Sequence, residues 1–275
     1  MASAAESQEV VLLDGTRLPF ERLGSAGRAT LVWGHGLGPS DPKAMTRRSC
    51  ESFELVDGAR RAAAEDGDGR STGSAAQLGW DAVLYDARGH GASSGWQRFA
   101  TCPSRGIQQF HWRSLAFDML SVALATRDPA AEGALIGGYS MGASTALWAA
   151  YSCPTAVRGL VLTCVTTAWE IRRDRRGKLL ENGSNFEAAG DAASAAVVRG
   201  AAYADLPSED ELKAAALPMP VLLMCARDDA THPAAVVERL GKVLPTAKVV
   251  ITETTAELRQ AFPGTLNAWM SEHFP

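Results

Sequence analysis

The feature that most constrains the fold is a serine between two glycines, at the junction of an apolar run and a run of small residues. Residues 138–142 read Gly-Tyr-Ser-Met-Gly, a G-x-S-x-G pattern. They follow the β-rich run 134–138 and lead into residues 141–152, which carry four alanines. A strand that turns sharply into a helix needs small residues two before and two after the turn. The sequence therefore predicts a strand–turn–helix unit that exposes the Ser140 hydroxyl at the edge of a sheet.

Apolar runs alternate with helical patterns along the rest of the chain. Nearly continuous apolar runs are typical of strands in parallel sheets, which are covered on both faces. This alternation predicts an α/β fold with a doubly wound, mostly parallel sheet. A hairpin is predicted at residues 9–22, around Asp14-Gly15. The other predicted strands are 29–34, 81–86, 134–138, 158–164, 219–225 and 246–252, and the predicted helices are 112–127, 141–152, 233–243 and 256–272.

Two stretches interrupt the alternation. Residues 62–77 are small, polar and glycine-rich, which predicts a surface insertion. Residues 166–217, which we call the insert, separate two predicted strands. An unstructured loop of that length is uncommon in a compact domain. We therefore expect residues 1–165 and 218–275 to form the core, and the insert to form a small, mostly helical cap.

Two further glycine motifs follow predicted strands. His35-Gly36-Leu37-Gly38 comes directly after the strand at 29–34. Its glycines allow the backbone to turn back toward Ser140, so the N–H groups of Leu37 and Met141 are expected to form an oxyanion hole. The second motif, at residues 86–93, reads Asp-Ala-Arg-Gly-His-Gly-Ala-Ser and follows the strand at 81–86.

The three motifs, in this order, resemble the α/β-hydrolase fold superfamily. Within it they are similar to capped esterases, enol-lactonases and cofactor-free haloperoxidase-like proteins, and the resemblance extends from about residue 9 to residue 272. It implies that Ser140 is a nucleophile. It also implies that Arg88 and His90, in the motif at 86–93, are parts of the scaffold and not catalysts.

The resemblance also predicts where the acid of a catalytic triad lies. In this family the acid follows the strand before last, commonly as D-x-x-x-P. Asp229 stands four residues before Pro233 and takes this position, with Asp228 as a close rival. Its role would be to orient and stabilise the catalytic imidazole.

The expected base is the main departure from the family pattern. The family places a histidine after the last strand, 25–30 residues beyond the acid, but residues 251–258 contain none. His232, on the loop of Asp229, is either the base or only a capping residue of that loop. The remaining histidines are His35 and His90 in the turn motifs, His111 without an assigned role, and His273, about 20 Å along the last predicted helix from its start.

Two functions are consistent with these residues. The first is a serine hydrolase that acts on a small ester, lactone or amide through an acyl-enzyme, with Ser140, Asp229 and His232 as the triad. Glu253 or Glu257 could supply a weaker base. The alternative is a catalytically weak or inactive relative that binds a small ligand under the cap, because the usual triad histidine is missing.

The amino-acid composition limits the kinds of partner that this chain is expected to bind. Lys and Arg number 27 and Asp and Glu 31, for a net charge of −4, which argues against binding nucleic acid or an anionic membrane. The five cysteines lack paired spacing, so neither a disulfide framework nor a zinc cluster is expected. The basic run 172–178 is expected to form a solvated helix face.

Residues 1–10 show no leader pattern, so we expect a cytoplasmic protein. We expect it to be an enzyme that acts on a small-molecule substrate and uses no cofactor or metal.

Overall fold

Eight strands form one sheet in the part of the chain that the structure describes. This structure is a computed structural model, which describes residues 8–24, 29–37, 55–59, 80–100 and 103–275. The predicted surface insertion at 62–77 and Gly38 lie outside these residues. The strands are β1 (Gln8–Val11), β2 (Arg17–Leu23), β3 (Ala29–Gly34), β4 (Trp80–Tyr85), β5 (Ala134–Tyr139), β6 (Val157–Thr163), β7 (Val221–Ala226) and β8 (Ala247–Thr252).

The sheet is mostly parallel, as predicted. Its strand order is β1-β2-β4-β3-β5-β6-β7-β8. Strands β1 and β2 form the predicted antiparallel hairpin, and β2 also runs antiparallel to β4. The pairs from β4 onward are all parallel. The predicted coverage on both faces fails at β8, where Lys248 and Val249 are exposed because the strand lies at the edge of the sheet.

Helices cover both faces of the sheet, which confirms the doubly wound α/β architecture. They are α1 (Gln97–Ala100), α2 (Pro103–Gln109), α3 (Trp112–Thr126), α4 (Met141–Ser152), α5 (Trp169–Ala188), α6 (Ala192–Tyr203), α7 (Glu209–Ala215), α8 (Ala234–Val243) and α9 (Thr255–His273). The sequence did not predict α1 and α2, which are short and in α2 include a glycine, a weak helix former. No helix in the described residues has the length and apolar character to cross a membrane.

Each face of the sheet has its own apolar core. Helices α3, α4 and α8 pack on one face, and α9 and the helical residues 55–59 pack on the other. Along β3, Val32 faces the first core, whereas Leu31 and Trp33 face the second. Successive side chains of a strand point to opposite faces, so a strand buried on both sides must be apolar throughout. This explains the continuous apolar runs in the sequence.

The insert contains α5, α6 and α7. Arg172 of α5 is buried, and its guanidinium donates to the carbonyl oxygens of Ala201 and Ala204 at the end of α6. It also lies 4.5 Å from the ring centre of Trp112 in α3. The basic run is therefore not a wholly solvated face, because Arg172 packs α5 against α6. The division of the chain into a core and a cap stays a prediction.

Strands β3 and β5 and helix α4 meet through glycines. Gly34 of β3 pairs with Gly138 of β5, and Gly142 in the first turn of α4 packs against Gly34. A Cβ on Gly142 would overlap the carbonyl of Gly34, and one on Gly138 would lie 2.7 Å from the same oxygen. A paired strand cannot move aside, so these positions exclude a side chain. The close approach fixes α4 on the sheet and, with it, the position of Ser140.

Replacing Gly142 by alanine tests this contact. We expect Gly142→Ala to lower the free energy of unfolding by about 2–3 kcal/mol, because the added methyl group meets backbone atoms. Gly264→Ala in α9 is the matched control, since a Cβ there would have no atom within 4 Å. It should stabilise the protein by about 0.5–1 kcal/mol. Urea unfolding measures both, and equal stability of Gly142→Ala and wild type would contradict the contact.

Candidate active site

Ser140 occupies the turn between β5 and α4 in a backbone conformation that few L-residues adopt. Its φ is 56° and its ψ is −114°. The Ser140 N–H donates to the carbonyl oxygen of Thr163 in β6 over 3.1 Å. A positive φ strains a residue that has a Cβ, and such strain persists only where the surroundings fix it. Here the hydrogen bond to Thr163 and the contacts among Gly34, Gly138 and Gly142 behind the turn fix the conformation of Ser140.

The Ser140 hydroxyl belongs to a chain of two hydrogen bonds. Its Oγ lies 2.8 Å from Nε2 of His232, and Nδ1 of the same ring lies 2.7 Å from Oδ2 of Asp229. The imidazole side chain is 8% exposed and the carboxylate 12%, so water has little access to either bond. The ring of Tyr139 packs edge-on against the imidazole, with 5.3 Å between the ring centres. This geometry allows a proton to pass from Oγ to Nε2 while Asp229 holds the ring.

The loop between β7 and α8 carries both Asp229 and His232. Oδ1 of Asp229 accepts the backbone N–H groups of Thr231 at 2.9 Å and of His232 at 3.1 Å, while Oδ2 accepts the imidazole. Burial opposes ionisation of Asp229, but the bond from His232 and the two backbone N–H groups outweigh it and lower its pKa. A carboxylate ionised in this way is suited to stabilise an imidazolium.

Asp228, the rival for the acid position, is bonded to another part of the chain. Its carboxylate accepts the N–H of Thr255 at 2.8 Å, at the start of α9. Thr254 caps this helix, and its hydroxyl and the Glu257 carboxylate form reciprocal bonds with the backbone. Residues 251–258, where the resemblance places the base, thus form the end of β8 and the start of α9. The two weaker candidates for the base are also engaged, Glu257 in the cap and Glu253 in an ion pair with Arg227.

The turn after β3 lies beside Ser140. The N–H of Gly142 donates to the carbonyl oxygen of His35 over 2.9 Å, and a Cβ on Gly36 would lie 3.6 Å from the Cβ of Ser140. Within the described residues, no hydrogen bond uses the N–H of Leu37 or of Met141. Met141 is the first residue of α4, where helix N–H groups lack internal partners and the helix dipole favours negative charge. As far as the described residues go, both predicted donors are therefore available at this edge.

His35 fixes the orientation of this turn. Its Nδ1 lies 2.7 Å from the Gly36 carbonyl oxygen, and its Nε2 accepts the N–H of Ala87 at 3.1 Å. The ring is therefore neutral, with its proton on Nδ1, and burial lowers its pKa despite the bond to Gly36. In a planar trans peptide the carbonyl and the next N–H point in opposite directions. By holding the Gly36 carbonyl, His35 directs the Leu37 N–H away from its own ring.

The motif at residues 86–93 supports this turn from behind. The His90 ring packs edge-on against the His35 ring, with 4.9 Å between the centres. Burial, followed by the neighbouring His35, lowers the pKa of His90 to about 3. Arg88 forms two bonds of 2.8 and 2.9 Å with Asp118 and one of 2.6 Å with Asp14. The Arg88 guanidinium is thus paired with the carboxylates of Asp118 and Asp14.

The other two histidines do not reach Ser140. His111 caps α3, where its Nδ1 accepts the N–H of Arg113 at 3.2 Å. His273 ends α9, and its ring packs against Trp269 and Phe274. Of the sequence-predicted site residues, the structure thus brings together Ser140, His232 and Asp229, with the turn that contains Leu37 beside them.

One cluster near the site resembles a set of metal ligands. Donor atoms of Cys164, Asp229 and His232 lie within 4.8 Å of one another. Burial raises the pKa of the Cys164 thiol. Both nitrogens of His232 are already bonded, one to Asp229 and one to Ser140. A resident metal ion does not fit these residues.

Comparisons with known proteins identify the fold. Residues 71–180 match the family model of the serine aminopeptidases, S33. This stretch includes Ser140 and ends before Asp229 and His232. No curated protein sequence matches the chain.

Solved structures share the fold over nearly the whole chain. A hydrolase from Pseudomonas aeruginosa PA01 aligns over 97% of this chain and 99% of its own, with a TM-score of 0.65 and 20% identity. An esterase from Exiguobacterium antarcticum aligns over 96% and 99%, with a TM-score of 0.67 and 16% identity. The enol-lactonase from Burkholderia xenovorans LB400 aligns over 96% and 100%, with a TM-score of 0.63 and 16% identity.

The sheet topology, the serine turn and these likenesses define an α/β-hydrolase fold. The chain has the α/β-hydrolase fold, which confirms the fold that the resemblance of its three glycine motifs implies. The matched family model and the solved esterase and enol-lactonase together support a hydrolase of this fold.

The buried His90 makes stability depend on pH. Its pKa is about 3 in the folded protein and near 6.5 when unfolded, so between these values only the unfolded chain binds the proton. The free energy of unfolding therefore falls as the pH drops through this window, by about 1.4 kcal/mol per pH unit for this group. Urea unfolding from pH 5.5 to 4 should show a shallower loss for His90→Gln than for wild type. The control is His273→Gln, at the partly exposed end of α9. Equal slopes of unfolding free energy against pH for His90→Gln and wild type would contradict a neutral His90.

Proposed function

We propose that the protein is a serine hydrolase in which Ser140 is the nucleophile, His232 the general base and Asp229 the group that orients it. The observation that carries this proposal is the chain of hydrogen bonds from Ser140 Oγ to His232 at 2.8 Å and from His232 to Asp229 at 2.7 Å. A base has to lie within about 3 Å of the group whose proton it removes, and His232 meets this requirement.

The reaction has two halves. Oγ of Ser140 attacks the carbonyl carbon of the substrate while its proton passes to Nε2 of His232. The tetrahedral intermediate then collapses to an acyl-enzyme, and the imidazolium gives its proton to the departing alcohol or amine. Water enters next, gives a proton to His232 and attacks the acyl carbon, after which Ser140 leaves with that proton. Asp229 stays ionised and stabilises the imidazolium in both halves.

Negative charge on the substrate oxygen needs donors that are already oriented. We assign this role to the backbone N–H groups of Leu37 and Met141. Their freedom from other bonds in the described residues and the bond that His35 makes to the Gly36 carbonyl support this assignment. Each such donor contributes about 3–4 kcal/mol of transition-state stabilisation in comparable sites.

A small ester, lactone or amide is the proposed substrate. The esterase and the enol-lactonase that share the fold act on the first two of these groups by name. The alternative function, a weak or inactive relative that only binds a ligand, was based on the missing histidine after β8. The contact of His232 with Ser140 favours the hydrolase over this alternative, because it supplies a candidate base.

Labelling with a fluorophosphonate tests the nucleophile and the base together. We expect wild type to be labelled and Ser140→Ala not to be. His232→Ala should label at least about 10³-fold more slowly, because serine and base act as a unit. His273→Ala is the matched control and should label at the wild-type rate. If wild type and Ser140→Ala show equally little labelling, the protein is not a serine hydrolase.

Two neighbouring aspartates allow a paired test of the acid. Asp229→Asn should lower kcat for p-nitrophenyl acetate by about 10⁴-fold, since the amide cannot stabilise the imidazolium. Asp228→Asn removes the same charge one residue away and should leave kcat within about twofold of wild type, because Asp228 bonds the start of α9. The opposite ranking of the two variants would assign the acid to Asp228.

A further inference from the structure

The loop that carries the acid and the base is held from outside by the insert. Two residues, Ala230 and Thr231, separate Asp229 from His232, and their side chains are exposed. Their carbonyl oxygens accept hydrogen bonds from Arg175 of α5, at 2.5 Å for Ala230 and 3.4 Å for Thr231. The guanidinium thus bonds the carbonyls of both residues that separate the acid from the base.

The inside of the loop is held differently. The N–H groups of Thr231 and His232 are taken up by the Asp229 carboxylate. These bonds fix the internal shape of the loop, yet they do not fix the distance from the loop to Ser140. In the usual arrangement of the family, acid and base lie on separate segments. Here one loop carries both, so any movement of the loop moves the base away from Ser140.

We propose that Arg175 is a positioning residue, which holds the Asp229–His232 loop so that His232 stays in hydrogen-bond contact with Ser140. The inference rests on the proposed function of these three residues. Arg175 itself is exposed and acts on the loop through backbone oxygens. Its contribution is therefore to the geometry of proton transfer.

Helix α5 is firmly placed with respect to the same loop. Arg239 of α8 forms ion pairs with Glu170 of α5 and with Glu209 of α7, the latter at 2.8 Å. Its guanidinium also lies 4.2 Å from the ring centre of Trp169, the first residue of α5. Helix α8 begins directly after His232 and Pro233. The insert is thus fastened on both sides of the base, by Arg175 to the loop and by Arg239 to the helix that follows.

Arginine is suited to this contact. Its planar guanidinium offers several N–H donors in a fixed arrangement, so one side chain can bond two successive carbonyl oxygens. A lysine keeps the charge but is a single rotating donor group. Arg175→Lys should therefore fall between wild type and Arg175→Ala if geometry matters, and should equal wild type if charge alone matters.

The kinetic test compares three variants. We expect Arg175→Ala to lower kcat for p-nitrophenyl acetate roughly tenfold with KM unchanged, since small displacements of a catalytic group are costly. Arg175→Lys should be intermediate. The control is Arg173→Ala, which removes the same charge from an exposed position two residues earlier in α5 that donates no hydrogen bond to the described residues. Rates are divided by the number of sites titrated with the fluorophosphonate, so that unfolded protein does not count.

A second readout does not need activity. The proton on Nδ1 of His232, bonded to Asp229, should give a downfield ¹H NMR signal that disappears in His232→Ala. We expect this signal to broaden by faster exchange with water in Arg175→Ala and to be unchanged in Arg173→Ala. An unchanged signal and unchanged kcat in Arg175→Ala, or the same losses in Arg173→Ala, would overturn the inference. If wild type is not labelled by the fluorophosphonate, the proposed function fails, and the NMR comparison alone still decides whether Arg175 holds the loop.

Discussion

Direct backbone contact between strand β3 and helix α4 is the constraint on which the site depends. Gly142 packs on Gly34, and its N–H bonds the His35 carbonyl. The same contact therefore positions both the strained turn that carries Ser140 and the turn that brings Leu37 beside it. A larger residue at either glycine would separate the nucleophile from Leu37, one of the two proposed oxyanion donors. The geometry that the proposed acyl transfer needs thus depends on how closely two backbone segments approach.

The proposed acid and base share one short loop, and this has consequences on both sides of it. The start of α9 carries no histidine. Instead, Thr254 and Glu257 cap that helix, and Asp228 accepts a hydrogen bond from its N-terminus. On the other side, Arg175 of the insert bonds the loop carbonyls between Asp229 and His232. The insert thereby contacts the loop that carries the proposed base. In our account the placement of the insert influences where the base lies.

Much of the fold could be predicted from the sequence, because strand–helix alternation and the three glycine motifs each have a direct structural reason. The serine turn, the hairpin and the parallel sheet all follow from such local patterns. The sequence left His232 either as the base or as a capping residue of its loop, since 92 residues separate it from Ser140 and only the fold sets their distance. Nothing in the sequence indicates the contact of Arg175 with the Asp229–His232 loop either. The contact depends on how α5 is rotated over the loop, whereas the sequence shows only a basic run.

A crystal structure of the phosphonate adduct of Ser140 tests the central claim most directly, because the bound phosphorus mimics the tetrahedral intermediate. Our account predicts a phosphonyl oxygen about 3 Å from the N–H groups of Leu37 and Met141, as required of an oxyanion hole. It also predicts Nε2 of His232 within hydrogen-bond reach of the Ser140 oxygen, with Asp229 on the far side of the ring. An adduct in which His232 has turned away, or in which the oxygen points into solvent, would contradict it.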